Sequence, residues 1–265
     1  MSRPPQAEAE FRFYEELNDF LAPSLHKRAF AYRFNGTPSV KDAIEAIGVP
    51  HAEVDLVLVD GESVDFKRRL TGGERVAVYP VFERLDIAPL TRLRAPPLRQ
   101  TRFVLDGHLG KLARYLRLQG FDTLYSPDCA DAAIIALALA ESRIILTRDK
   151  GLLKHAAVTH GYWLRSTVPR QQLREIMRAF DLGGSARPFT RCMRCNGELK
   201  PVAEDVVAAR LPPRVRAHFD EFAQCPGCAR VYWRGSHYER LQAMVDELRS
   251  DTTPGDAPAN DTTPP

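Results

Sequence analysis

Two aspartates, Asp106 and Asp149, each follow a short apolar run in the sequence. The runs, residues 103–105 and 144–147, are typical of buried parallel strands. Because functional groups gather at the carboxyl ends of strands in open α/β sheets, we expect both carboxylates at one edge of a sheet. Oxygen ligands of this kind suit Mg²⁺ or Mn²⁺. The spacing therefore predicts a metal centre that could activate water for hydrolysis of a phosphodiester bond, without a covalent enzyme intermediate.

A third acid is expected, because two carboxylates alone hold a hard cation weakly. Asp131, at the predicted start of a helix, is the first candidate, and Asp128 in the preceding loop is the second. An aspartate at a strand-to-helix junction also serves as a helix cap, so capping stays open for each acid. Thr147 has two interpretations: it orients an attacking water, or it is an ordinary hydroxyl at a strand end.

Basic residues surround the predicted site. Residues 84–117 contain eight basic side chains and two acidic ones. A basic stretch that leads into a carboxylate site favours a polyanionic substrate such as RNA. Lys111, Arg114 and Arg148 are the predicted substrate-binding residues, with Lys111 and Arg148 the best phosphate contacts. Surface charges and local ion pairs are the alternative for each.

Four of the five cysteines form two C-x-x-C pairs about thirty residues apart. The pairs are Cys192/Cys195 and Cys225/Cys228. This spacing is typical of a structural Zn²⁺ site with tetrahedral thiolate coordination. Disulfides and a redox thiol pair are the alternatives. The neighbouring arginines, Tyr232 and Trp233 either contact RNA or pack the ribbon.

The pattern of elements divides the 265 residues into five segments. Residues 10–83 show a strand, strand, helix, strand, strand order that is typical of a β-grasp domain. Residues 84–100 are predicted to be a basic linker, and residues 101–186 alternate strand and helix as in a doubly wound parallel α/β domain. The helix at 131–142 has an almost wholly apolar middle and is predicted to be buried. Residues 187–249 are predicted to form a zinc ribbon and a terminal helix, and residues 250–265 a disordered tail.

Composition excludes some classes of protein. Hydrophobic content of 44% and charged content of 27% are typical of a globular protein, and the net charge is only +3. The first ten residues have no apolar signal-peptide core. The longest apolar run is about nine residues, whereas a membrane helix needs about 20. We therefore expect a cytoplasmic location and no membrane partner.

The first segment resembles the ubiquitin-like sulfur-carrier group. Residues 39–45 (SVKDAIE), 57–62 (VLVDGE) and 73–80 (GERVAVYP) carry the resemblance. Sulfur carriers of that group end in a free diglycine, whereas Gly72 and Gly73 here precede the last predicted strand. The resemblance therefore implies a recognition or packing module with an unidentified protein partner rather than a carrier.

Roughly residues 102–243 resemble the Mut-seven C-terminal ribonuclease family, a PIN-like nuclease group. Four stretches carry this resemblance: residues 104–117 (VLDGHLGKLARYLR), 143–149 (RIILTRD), 192–199 (CMRCNGEL) and 231–237 (VYWRGSH). It implies metal-dependent RNA cleavage with acids at Asp106, Asp131 and Asp149. One departure is visible: the family usually has an acid-rich Asp-Asp-Glu-Leu-Leu-like helix start, whereas this chain reads DAAII from Asp131. A non-catalytic RNA-binding or ribosome-associated adaptor with a structural zinc ribbon is the alternative function.

Overall fold

The computed structural model describes residues 6–80, 93 and 101–252. Most of the predicted linker at 84–100, and the predicted tail beyond residue 252, lie outside the described residues. The chain divides into two compact units, one built from 1–113 and 122–167 and the other from 114–121 and 168–265. Within the described ranges, no helix combines the length and the apolar character that crossing a membrane requires.

The amino-terminal part of the first unit is a mixed five-stranded sheet. Its strands are β1 (Ala7–Phe13), β2 (Phe30–Phe34), β3 (Val54–Val59), β4 (Glu62–Ser63) and β5 (Arg75–Pro80). Their order is β2-β1-β5-β3-β4, with β1 and β5 parallel and the other neighbours antiparallel. The predicted β-grasp fold is confirmed, and the two-residue strand β4 is an addition to it.

Helix α1 (Val40–Ile47) packs against this sheet. The Ser39 hydroxyl accepts the Asp42 N–H at 3.1 Å, while the Asp42 carboxylate accepts the Ser39 N–H at 3.2 Å. This reciprocal capping box satisfies two backbone donors that the helix start would otherwise leave unpaired. The helix buries Val40, Ala43 and Ile44 in the sheet's core.

A second sheet of the same unit is wholly parallel. It comprises β6 (Arg102–Leu105), β7 (Asp122–Tyr125), β8 (Ile144–Thr147) and β9 (Gly161–Trp163), in the order β7-β6-β8-β9. Helices α2 (Gly110–Leu118), α3 (Asp131–Glu141) and α4 (Lys150–Leu153) provide the crossovers. Because β6 and β8 are neighbouring parallel strands, Asp106 and Asp149 lie at the same edge of the sheet. The predicted parallel α/β fold is confirmed.

Two sequence expectations within this region are wrong. Helix α3 buries only Ile134 and Ile135, and Leu139 is 49% exposed, so the helix is not the buried one that its composition predicts. Its uniformly apolar sequence contains many alanines, whose small side chains can remain at a surface. The sequence of residues 152–160 also predicts a short helix. The observed helix, α4, is shorter and begins earlier, with Asp149 as its N-cap.

The second unit contains α5 (Pro169–Ala179) and the cysteine-bearing region. A three-stranded antiparallel sheet, β10 (Lys200–Val202), β11 (Phe222–Gln224) and β12 (Val231–Trp233), is followed by α8 (Ser236–Thr252). Two short helices, α6 (Glu204–Val207) and α7 (Pro213–Arg216), join β10 to β11. Val207, Leu211 and Phe222 form the small core, with Trp233 packed against it.

The two sheets of the first unit meet at a short 3-10 turn, His51–Glu53. Ala52 packs into the core of the parallel sheet, and the Glu53 carboxylate accepts the backbone N–H of Trp163 in β9. Glu53 is only 3% exposed. Burial raises the pKa of Glu53 to about 7, although Arg165 and the Trp163 N–H favour the charged form. The junction therefore contains a carboxyl group that binds a proton more tightly than it does in the unfolded chain.

This raised pKa predicts a pH-dependent free energy of unfolding. The contribution of Glu53 is fully present below its ordinary pKa of 4.5 and is lost as pH rises to about 7. The slope is at most about 1.4 kcal/mol per pH unit. Urea unfolding between pH 4 and 8 measures it, and Glu53→Gln should remove this component. The exposed Glu62→Gln is the matched control, and parallel wild-type and Glu53→Gln profiles would contradict the assignment.

Candidate functional site

Thr147 joins the two strand-end aspartates. Its side chain is fully buried, and its Oγ1 donates to Asp106 Oδ2 at 2.9 Å. The same oxygen accepts the backbone N–H of Asp149 at 2.9 Å. Because a hydroxyl has one proton, the donation to the carboxylate and the acceptance from the amide are mutually consistent. Thr147 therefore fixes the Asp106 carboxylate relative to the Asp149 backbone.

Asp149 is partly engaged as a helix cap. Its Oδ1 accepts the Gly151 N–H at 2.7 Å and so caps α4. Among the described contacts, none goes to its second oxygen, Oδ2, and the residue is exposed. Asp149 therefore caps the helix with one carboxylate oxygen, and its second oxygen is available to a ligand. Asp106 differs, because among described residues its carboxylate accepts from Thr147 and from no backbone N–H of α2.

Close packing holds the turn that follows Asp106. The Tyr125 hydroxyl, at the end of β7, donates to the Gly107 carbonyl at 2.8 Å. A Cβ on Gly107 would lie 2.5 Å from the Pro127 carbonyl oxygen, and one on Gly110 would lie 2.8 Å from the Tyr125 hydroxyl. Only glycine fits at both positions. The close approach of Gly107 to Pro127 shows that the loop carrying Asp128 packs against the turn after Asp106.

Asp131 is the first residue of α3 and is exposed, as is Asp128 in the loop before it. Within the described part of the chain, no group of three acidic side chains brings its oxygens within 4.8 Å of one another. The structure thus joins Asp106 to the Asp149 backbone through Thr147, and it does not bring Asp131 into a closed three-carboxylate cluster. The oxygen donors of Asp106 and Asp149 match the chemistry of a hard divalent cation.

Three predicted substrate-binding cations are exposed. Lys111 and Arg114 lie three residues apart on α2, and Arg148 directly precedes Asp149. Arg114 falls in the second compact unit, whereas the other two belong to the first. Arg117, in the same basic stretch, is only 4% exposed and donates to the carbonyls of Met193 and Arg194. Arg117 therefore supports the first cysteine knuckle through these two hydrogen bonds.

The four paired cysteines form the one cluster of potential metal ligands found among the described residues. Their sulfur atoms all lie within 4.8 Å of one another, with Cys192 to Cys228 at 3.6 Å and Cys195 to Cys225 at 3.3 Å. These distances exceed a disulfide bond of about 2.05 Å. They approach the roughly 3.8 Å that separates thiolates around a tetrahedral zinc with bonds of about 2.3 Å. The donor set therefore fits one Zn²⁺.

The two knuckles have matching backbones. The Cys192 N–H donates to the Gly197 carbonyl at 2.8 Å, and the Cys225 N–H donates to the Arg230 carbonyl at 2.9 Å. The residue after each second cysteine has a positive φ, +74° at Asn196 and +59° at Ala229. Asparagine tolerates this left-handed conformation better than alanine does. Because the two knuckles have the same backbone arrangement, their four sulfur atoms surround one point.

Tyr232 contributes to the cysteine cluster, a role that sequence reasoning missed. Its hydroxyl lies 3.1 Å from Cys192 Sγ. Burial opposes ionisation, but hydrogen bonds from Tyr232 and from the backbone of Cys195 and Arg194 lower the pKa of Cys192 to about 6. Trp233 packs on the small core. Of the two interpretations offered for this aromatic pair, the contacts favour packing of the ribbon.

Two family models match the chain. The family model described as Mut7-C RNAse domain matches residues 101–245, and the one described as Mut7-C ubiquitin matches residues 6–86. No curated protein matches the chain. Among solved structures, the H. volcanii small archaeal modifier protein 1 is similar at 18% identity with a TM-score of 0.23. That match covers 28% of this chain and 97% of the other.

Loss of one sulfur ligand should release the metal. We expect Cys225→Ser to abolish stoichiometric zinc content and to lower the melting temperature, because bound metal stabilises only the folded state. Metal analysis and thermal unfolding measure both effects. Cys129→Ser is the matched control, since Cys129 lies outside the cluster. Equal zinc content in the two variants would contradict the site.

Ala229→Gly should stabilise the zinc-loaded protein by about 0.5–1 kcal/mol. Glycine relieves the left-handed strain of alanine, partly offset by its greater freedom in the unfolded chain. Chemical denaturation measures the change. Ala223→Gly is the control within β11, where the same substitution should destabilise the fold. A loss of stability at position 229 would contradict the strain argument.

Proposed function

We propose that this chain, which belongs to the Mut7-C RNAse domain family, hydrolyses RNA phosphodiester bonds at the edge of its parallel sheet. The observation that carries the proposal is the Thr147 link between Asp106 and Asp149. Two carboxylates from adjacent parallel strands at a sheet's carboxyl edge occupy the usual position of a functional site in this class of fold. The family match to a ribonuclease domain supports RNA as the substrate.

Each side chain then has a chemical role. Asp106 and Asp149 would hold Mg²⁺ or Mn²⁺, with Asp131 as the third acid. When bound, the ion supplies charge relief at the phosphate and a lower pKa for an attacking water. Thr147 orients Asp106 by donating a hydrogen bond to that carboxylate. Lys111, Arg114 and Arg148 are exposed, and they would bind the RNA phosphates as charged donors.

The cysteine cluster would hold a structural Zn²⁺. Four thiolates fill the tetrahedral positions and leave none open for catalysis. The ion would stabilise the ribbon, while cleavage would depend on the oxygen ligands. The ubiquitin-like module would interact with a protein partner, as its resemblance implies. We propose domain bounds of 10–83, 84–100, 101–186, 187–249 and 250–265 for the five segments.

A second candidate is a non-catalytic RNA-binding or ribosome-associated adaptor. Two observations favour it: the acid-poor start of α3, and the absence, among described residues, of three carboxylates within 4.8 Å. Calorimetry of zinc-loaded protein with Mn²⁺ separates the candidates. The ribonuclease predicts a site that Asp106→Asn abolishes, and the adaptor predicts no such site.

The cleavage mechanism makes a direct prediction. Asp106→Asn and Asp149→Asn should each lower Mn²⁺-dependent RNA cleavage by about 10- to 100-fold or more, because each removes a negative charge from the cation site. Asparagine retains an oxygen for the Thr147 and Gly151 hydrogen bonds, so both variants should fold. Glu62→Gln is the control for loss of an exposed carboxylate. Equal cleavage by wild type and both aspartate variants would refute the mechanism.

A further inference from the structure

Strand β9 is an edge strand, and a residue of the ubiquitin-like module satisfies its outer edge. Among the strands of the described residues, the order β7-β6-β8-β9 leaves one side of β9 without a neighbour. The Leu164 N–H donates inward to the Thr147 carbonyl at 2.8 Å, so the Trp163 N–H points outward. There it donates to the buried Glu53 carboxylate. Glu53 thus occupies part of the place that another strand would take.

The residues around the hydrogen bond between Glu53 and Trp163 are closely packed. His51 Nε2 lies 2.8 Å from the Val158 carbonyl, and His51 is only 6% exposed. Lys154 Nζ donates to the Glu45 carbonyl at 3.0 Å. Ala52 is part of the parallel sheet's core. A junction of this kind transmits displacement, because close-packed interiors have low compressibility.

Trp163 extends this contact to the segment that carries Asp149. Its indole N–H donates to the Arg148 carbonyl at 3.1 Å. Lys150 Nζ lies 4.0 Å from the Trp163 ring centroid and 4.6 Å from that of Phe20, a residue of the ubiquitin-like module. The Phe20 and Trp163 centroids are 5.0 Å apart. One side chain therefore contacts both chain neighbours of Asp149.

We propose that Trp163 is a positioning residue through which the ubiquitin-like module sets the conformation of the Asp149 segment. Glu53 holds the Trp163 backbone, Phe20 packs against its ring, and the ring restrains Arg148 and Lys150. The module is then an internal support of the acidic site, in addition to any partner that it binds. The consequence for cleavage rests on the proposed function, whereas the coupling itself does not.

Hydrogen exchange of metal-free protein tests the coupling. Trp163→Phe keeps an aromatic ring for Lys150 and Phe20 but loses the indole donor. We expect amides in the segment from Thr147 to Gly151 to exchange about 3- to 10-fold faster, as loss of one neutral hydrogen bond implies. Peptides from β6 should be unchanged. Lys150→Met, which loses only the ammonium group over the rings, should act in the same direction and provides a second variant.

Lys154→Gln is the matched control. It removes another hydrogen bond between the module and the parallel sheet. The Lys154 side chain makes no described hydrogen bond to residues 147–151, and its backbone N–H keeps the bond to the Gly151 carbonyl in the variant. In Lys154→Gln, the amides of residues 147–151 should exchange at the same rate as in wild type. Unchanged exchange in both Trp163→Phe and Lys150→Met would overturn the proposal. Equal acceleration in Lys154→Gln would also overturn it, because any weakening of the junction would then suffice.

RNA cleavage separates this inference from the proposed function. If wild type cleaves RNA, Trp163→Phe should raise the Mn²⁺ concentration needed for half-maximal rate by about 3- to 10-fold and leave the RNA KM unchanged. An altered RNA KM with unchanged Mn²⁺ dependence would overturn the positioning role. If wild type does not cleave RNA, the proposed function fails, and the exchange comparison alone decides the coupling.

Discussion

The Thr147 hydroxyl connects the features on which the acidic site depends. It is buried at the end of β8, donates to the Asp106 carboxylate and accepts the Asp149 N–H. The bond exists only because β6 and β8 are adjacent parallel strands that end together. Replacing the hydroxyl with a methyl group would leave the Asp106 carboxylate oxygen and the Asp149 amide without this partner. The sheet order, the strand lengths and the buried threonine together place two acids at one edge.

Close contacts support the turn after Asp106 in the first compact unit and the first cysteine knuckle in the second. Glycines at 107 and 110 allow the turn after Asp106 to pack against Tyr125 and Pro127. Arg117, further along the same helix, supports the first cysteine knuckle through two carbonyl contacts.

Much of this organisation could be predicted because it depends on local patterns. Apolar runs identified β6 and β8, and the C-x-x-C spacing identified the sulfur cluster. The features that could not be predicted depend on contacts between residues far apart in the sequence. Composition could not show that α3 leaves Leu139 exposed, that Arg117 is buried, or that Tyr232 bonds to Cys192. The contact of Glu53 with an edge strand joins residues 110 positions apart, and no periodicity reveals it.

The central claim is that Asp106 and Asp149 bind one divalent cation in zinc-loaded protein. Anomalous diffraction from a crystal soaked in Mn²⁺ tests it most directly, because manganese and zinc are distinguished at their absorption edges. The account predicts a manganese peak in coordination contact with both carboxylates, and zinc among the four cysteines. Manganese density away from both aspartates, or none at saturating Mn²⁺, would contradict the account.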